Sequence, residues 1–214
     1  LEEESGAYTY GYDALERLSS IHKDGIRQTR YTYDAFGNRS SKTEYQTAGS
    51  LTTTYRYNAR NQLIQETAAD TAKDYAYDHR GNLLSVTSGG EVLRAYGFDA
   101  ANQMESAMEM ENGRMKKAAC QYNGLGHRMG QSITAAGGTV PDRIIRYTLD
   151  LTHQYHNLLQ RTTSMGSIGS RTEDRRETYF WDGNVTGMEE EGRDHFYFQD
   201  DLGSPVRLAD GTGR

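Results

Sequence analysis

The chain has 214 residues, 35% of them hydrophobic and 25% charged, with 23 Gly, 16 Tyr and only two Pro. A formal net charge of −6 excludes a general nucleic-acid binder, which needs a basic footprint to neutralise phosphates. The single cysteine, Cys120, excludes an internal disulfide and a Cys-based zinc site, and no apolar run approaches the ~18 residues that cross a bilayer.

Few Leu, Ile and Val leave little for a thick apolar core, yet the abundance of Tyr and Thr is unlike a disordered chain. Both residues favour a pleated, half-buried surface, and Tyr can bury its ring while its hydroxyl meets a polar partner. The composition therefore predicts ordered β-structure with much polar surface.

In chain order, the segment Tyr10-Gly11-Tyr12-Asp13 recurs as Tyr31-Thr32-Tyr33-Asp34, Tyr55-Arg56-Tyr57-Asn58 and Tyr75-Ala76-Tyr77-Asp78. Looser copies follow: Tyr96-Gly97-Phe98-Asp99, Cys120-Gln121-Tyr122-Asn123, Tyr147-Thr148-Leu149-Asp150, Tyr179-Phe180-Trp181-Asp182 and Tyr197-Phe198-Gln199-Asp200. Successive Asp/Asn positions lie 20 to 24 residues apart up to Asn123 and 18 to 32 apart beyond it. About nine repeat units thus fill residues 1–214.

Each unit carries two turn signals. The first follows the aromatics, where Asp or Asn folds its side chain back onto the backbone and a residue three places on takes a positive φ. Gly37, Gly81, Gly126 and Gly203 fill that slot after Asp34, Asp78, Asn123 and Asp200. Asn61 and Asn102 fill it in two further copies, and Glu16, a poor residue for it, in the first. The second signal comes about ten residues later. It is Asp24-Gly25, Gly89-Gly90, Asn112-Gly113, Gly137-Gly138, Glu191-Gly192 and Asp210-Gly211, mostly two-residue hairpin loops. Ala48-Gly49-Ser50, Ala69-Asp70 and Met165-Gly166 stand in the same place in the remaining units.

Between turns the pattern alternates with period two, so each Tyr-x-Tyr pair sets two rings on one strand face. Helical spacing is nearly absent; Ala107 to Met115 has helix-friendly residues, but Asn112-Gly113 favours a hairpin. The fold class expected is all-β, an antiparallel hairpin meander with about two strands per repeat. Two-stranded units that cannot bury a face alone must stack. Residues 166–177 are polar without alternation, and a lengthened, flexible loop is expected over 160–178.

These motifs resemble the YD repeat, Tyr-x-Tyr-Asp-x-x-Gly-Arg/Asn-Leu, which Tyr75 to Leu83 matches fully and Tyr31 to Arg39 nearly so. The stretch Tyr197 to Leu208 looks like the segment that leads into the core of Rhs proteins. The resemblance covers essentially the whole chain. It implies a β-ribbon wound into a curved or hollow shell, as in Rhs polymorphic toxins, toxin-complex C components and teneurins. In the toxins such a shell encloses a carboxy-terminal toxin domain, so the implied partners are the other repeats and a toxin domain of the same polypeptide. Surface glycans are a second implied partner, and a secreted or bacterial cell-surface location is expected. Rhs cores cleave themselves at an Asp-Pro-x-Gly-Leu segment; this sequence has no Asp-Pro, so no catalytic residue is carried over.

Other chemistry is weaker. The recurring Asp13, Asp34, Asp78 and Asp99 track the turn and are read as turn-formers. His153 and His156 fall on opposite faces of a strand and lack a third ligand nearby. There is no Gly-x-Ser-x-Gly elbow or phosphate-binding loop. Cys120 sits in an aromatic slot and is read as a packing thiol. The sequons at Asn38 and Asn184 are read as chance, and Lys116-Lys117, Arg143 with Arg146, and Arg175-Arg176 as solvated surface. The expectation is a non-catalytic segment without metal or cofactor. Self-association through open edge strands is also expected, since an unpaired edge is a template for further pairing.

Overall fold

The computed structural model describes residues 6–152, 157–166 and 172–213, which fall into two compact units, Leu1–Ala95 and Tyr96–Arg214. The first unit holds β1 (Tyr8–Tyr12), β2 (Leu18–Lys23), β3 (Ile26–Tyr33), β4 (Arg39–Gln46) and β5 (Gly49–Tyr57). It continues with β6 (Leu63–Ala68), β7 (Thr71–Tyr77), β8 (Leu83–Ser88) and most of β9 (Glu91–Phe98). The second holds β10 (Met104–Glu111), β11 (Arg114–Tyr122), β12 (Arg128–Thr134), β13 (Arg143–Asp150) and β14 (Asn157–Met165). Then come β15 (Thr172–Asp182), β16 (Asn184–Glu190), β17 (Arg193–Gln199) and β18 (Pro205–Asp210). Within each unit every strand pairs antiparallel with its neighbours in sequence, and no helix occurs among the described residues. The all-β hairpin meander is as expected.

One register irregularity recurs, beside isolated shifts at Ile21/His22, Val86/Thr87 and Ser164/Met165. In the hairpins that carry the Asp or Asn turn, two residues of the second strand face one of the first. Tyr12 pairs with Leu18 and Gly11 with Ser20, so Ser19 is extra; Ser40, Ile64 and Leu84 are its equivalents in the first unit. Met129 and Val206 repeat it in the second, where Leu159 and Thr186 are likewise extra in hairpins closed differently. The turn explains the bulge. The residue three places after Asp or Asn is left-handed and feeds the second strand one residue out of step, the G1-type hairpin loop.

The aromatic face is the better covered face of both units. Thr53 and Val86 in the first, and Ile145, Thr163, Glu177 and Met188 in the second, are buried in line with or opposite its tyrosines. No described side chain is completely buried. The interior of the first unit is one layer of half-covered rings and polar groups, which fits the low apolar content, while in the second Ser164 and Ala209 are buried on the other face.

Several local expectations change. Residues 160–165 and 172–178, expected within a loop, are strand: β14 and β15 pair from Gln160↔Thr178 to Ser164↔Asp174. Residues 167–171 lie outside the described residues. Polarity misled here because the polar side chains meet one another across the strands. Gly137-Gly138 is a turn inside the longer connection 135–142 rather than a two-residue loop, closed by Gly138 N–H on the Ala135 carbonyl at 2.9 Å. Asp210-Gly211 begins a turn of the first kind, with Gly213 left-handed and its N–H 2.9 Å from the Asp210 carbonyl. Near Gly49 the loop is Thr47-Ala48, since Gln46 already pairs with Gly49.

Candidate functional surface: repeat turns and aromatic rows

The turn is the same in seven copies. The N–H of Asp13, Asp34, Asn58, Asp78, Asp99, Asn123 and Asp200 donates to the carbonyl four residues on, and each carbonyl accepts from the N–H three residues on, all at 2.9–3.2 Å. The side chain adds a second clasp. Asp34 Oδ1 accepts from the N–H groups of Phe36 and Asn38 at 2.9 and 2.8 Å, and Asp78 Oδ1 does so from Arg80 and Asn82. Asp13, Asn58, Asn123 and Asp200 repeat the pair; Asp99 Oδ1 accepts from Gln103. The third residue after each is left-handed throughout: Gly37, Gly81, Gly126 and Gly203, with Glu16 at φ 60°, Asn61 at 59° and Asn102 at 65°.

The remaining carboxylate oxygen selects its partner. Asp34 and Asp78 Oδ2 accept from the amides of Asn38 and Asn82, and Asp13 pairs with Arg17 at 2.7 Å. Where the first residue is Asn58 the polarity reverses, and its amide donates to Gln62 Oε1 at 2.8 Å. The Arg17 side chain holds the Asp13 carboxyl below its ordinary range, and the Asn38 and Asn82 amides do the same for Asp34 and Asp78. These carboxylates are consumed in folding the chain. The sequon residue Asn38 also donates to Asn61 Oδ1 at 3.0 Å, so its amide is committed to the turn row.

The second aromatic of each pair ties one repeat to the one before. Tyr33 hydroxyl donates to the Leu18 carbonyl at 2.7 Å, Tyr57 to Arg39 at 2.9 Å and Tyr77 to Leu63 at 3.0 Å. In the second unit Tyr122 donates to Met104 at 2.9 Å, and Trp181 Nε1 to Leu158 at 2.8 Å. Gln199, in the same slot, reaches the Val185 carbonyl. Leu18, Arg39, Leu63 and Met104 are each the first residue of the strand that follows the preceding turn, and Leu158 and Val185 the second. Phe98 and Leu149 occupy the slot without a donor.

The first aromatics serve otherwise. Arg39 lies 4.5 Å over the Tyr31 ring, while Arg17 covers Tyr33 at 4.5 Å. Tyr75 hydroxyl donates to Glu66 at 3.1 Å, and burial followed by that carboxylate pushes its pKa up to about 12. Tyr55 is half-buried on the same face. Tyr96 borders an apolar hollow with Ala107, Ala118 and Ile133, where small side chains leave the row unfilled. Cys120 is a free, half-buried thiol in its aromatic slot. Tyr10 and Tyr12, on β1, are exposed.

One cluster had no signature in the sequence. Glu177, 7% exposed, accepts from Tyr179 hydroxyl at 2.6 Å and from Arg161 at 3.3 Å, and Arg175 pairs with Glu190. Burial first, then the bond to Glu177, holds the Tyr179 hydroxyl well above its ordinary pKa. Glu177 accepts both bonds and faces Arg161, which makes the cluster a cross-strand fastening. It fell in a stretch expected to be loop, and only the pairing of β14 with β15 brings it together. Among the described residues no group of three or more His, Cys, Asp and Glu is arranged to hold a metal ion; His153 and His156 lie outside them. No helix among the described residues is long and apolar enough to cross a membrane.

No family model matches the chain. It is similar to two curated proteins, the tRNA3(Ser)-specific nuclease WapA of Bacillus spizizenii and the tRNA nuclease WapA of Bacillus subtilis. They are 26% and 27% identical over 204 residues, 95% of this chain and 8% of each relative. The chain thus spans about a twelfth of the length of the curated relatives it matches. Among solved structures it resembles a chain of TcdB2-TccC3-TEV with TM-score 0.37 and 11% identity, over 98% of this chain and 17% of that one. A chain of TcdB2-TccC3 is similar with TM-score 0.29 and 12% identity, covering 98% and 18%.

Proposed function

We propose that the chain is a non-catalytic wall segment of a longer YD-repeat toxin, and that the wall encloses a toxic domain until delivery. The observation that carries this reading is where the aromatic tips and the repeat carboxylates go. Six tips in the second aromatic slot close on the carbonyl of the preceding repeat, and the carboxylates close on their own turns. Groups that a catalytic site would leave free are used to join repeat to repeat, which makes a continuous partition. The similarity to proteins named as nucleases supports a toxin setting. With 8% of their length aligned, the nuclease activity belongs on this reading to another part of such a polypeptide. An exported, cell-surface or secreted parent follows from that role.

The test is limited proteolysis of the parent polypeptide followed by mass spectrometry. The toxic domain is expected to survive when joined to the intact repeats and to be digested when expressed alone. Equal digestion in both forms removes containment as the mechanism.

A second reading, glycan binding, is favoured by one observation. Phe180, Phe196 and Phe198 are half-exposed on the face opposite the tyrosine rows, with Phe180 and Phe196 flanking Gly187. A sugar platform there predicts that Phe196→Ala abolishes retention on a glycan array while leaving the circular dichroism spectrum unchanged. No retention of the unmodified chain removes this reading.

A further inference from the structure

On the face opposite the tyrosine rows, β15, β16 and β17 set Phe180, Gly187 and Phe196 in one row, each opposite the next. Gly187 is buried and the two rings are half-exposed, so a ring stands on either side of a floor that has no side chain. A Cβ at Gly187 would lie 3.9 Å from Phe180 Cδ2, 4.0 Å from Phe196 Cδ1 and 2.9 Å from the His195 carbonyl oxygen. The gap is therefore as wide as one methyl carbon in contact with both rings, and a carbonyl oxygen borders it. Strands two apart stand roughly 9–10 Å from each other, which puts a guest centred over Gly187 within about 6 Å of both rings.

The charge around this slot has one sign. The next row on the same face sets Glu189 directly opposite Asp194. Asp194 is exposed and lines the hollow, of about 330 Å³, together with Phe180, Thr186, Gly187 and Phe196. The Thr186 hydroxyl already donates to the Phe180 carbonyl at 3.1 Å, and Glu189 takes the Gly192 N–H at 2.7 Å. Among the described residues no Lys or Arg lines the hollow. Ring faces, a main-chain oxygen and two carboxylates all present negative potential to a guest.

We propose that this slot binds a trimethylammonium group carried by a small soluble cation such as choline. One N-methyl sits over Gly187 between the two rings, and Asp194 and Glu189 supply the opposite charge. A primary ammonium is strongly hydrated and has three N–H groups to pair, whereas a quaternary one has none and is held by ring faces and neighbouring carboxylates. A lipid headgroup fits less well, because its phosphate, a short ethylene arm from the nitrogen, would meet the same carboxylates. The site depends on neither a wall nor a sugar ligand, so its failure leaves the proposed function standing.

Isothermal titration calorimetry of the whole chain with tetramethylammonium chloride tests it, with tert-butylethanol, the uncharged carbon isostere of choline, as the comparison. Saturable binding of the ion is expected, and binding of the alcohol at least about fivefold weaker. Phe196→Leu keeps an apolar side chain and loses the ring face. It is expected to weaken the ion about two- to fivefold and to leave the alcohol unchanged. Asp194→Asn is expected to weaken the ion by a similar factor, about two- to fivefold. Both side chains are exposed, so the circular dichroism spectrum is expected to be retained. No saturable binding of tetramethylammonium, equal affinity for the alcohol, unchanged affinity in either variant, or binding to phosphatidylcholine vesicles without binding of the free ion overturns the proposal.

Discussion

Asn58 and Asp78 do the same work with different charge, each accepting two backbone N–H groups on Oδ1. The clasp needs an oxygen in that place more than it needs a carboxylate. Asn58→Asp is therefore expected to keep the fold, whereas Asn58→Ala, which strands both donors, is expected to lower unfolding free energy in urea by about 1–2 kcal/mol. Glu16 and Ala69 are left-handed at φ 60° and 48°, where a Cβ is strained. Glu16→Gly and Ala69→Gly are each expected to raise the urea midpoint, by up to ~1 kcal/mol in stability. A lower midpoint for both would mean that the left-handed backbone there carries no strain.

At the scale of the strand pair, the tyrosine hydroxyl separates stacking from simple ring burial. Tyr77→Phe keeps the ring and removes the bond to the Leu63 carbonyl, an expected loss of about 1 kcal/mol. Tyr45→Phe, at an exposed position on β4, is the control and is expected to change little. Equal effects of the two would remove the ties from the energetics. The turns and the strand alternation were legible because their residues carry the cause: Asp or Asn with Gly three places on, and Gly-containing pairs for the opposite turn. Even Glu16, Asn61 and Asn102 were placed correctly in the left-handed slot. The ties were not legible, because their acceptors are main-chain carbonyls and any residue supplies one: Leu18, Arg39 and Met104 share no side-chain feature. The bulge at Ser19 and its equivalents was hidden for the same reason. β14 and β15 were misread because Thr163 and Glu177 look exposed by type and are buried by partnership.

Across the whole molecule the tyrosines set an alkaline limit. Burial raises the pKa of Tyr57, Tyr75, Tyr77, Tyr122, Tyr179 and Tyr197, with Tyr75 at about 12 against an ordinary 10.0. Above pH 10 the unfolded chain releases these protons first, so stability that is full below 10 falls as pH rises towards 12. At the acid end Asp13, Asp34, Asp78 and Glu190 sit below their ordinary 3.8 and 4.5, so stability falls as pH drops through and below that range. The melting temperature is expected to be flat between roughly pH 5 and 9 and to descend on both sides. A level curve from pH 9 to 12 contradicts the alkaline half. The backward sense of the ties bears on how such a chain is made. Each repeat leaving a ribosome or a secretion pore brings its own donor to a carbonyl that has already emerged, so within a unit no finished repeat waits for a later one. Assembly can proceed vectorially, one rung at a time in the order of synthesis, and amide exchange on nascent chains of increasing length is expected to show protection advancing from the amino-terminal side.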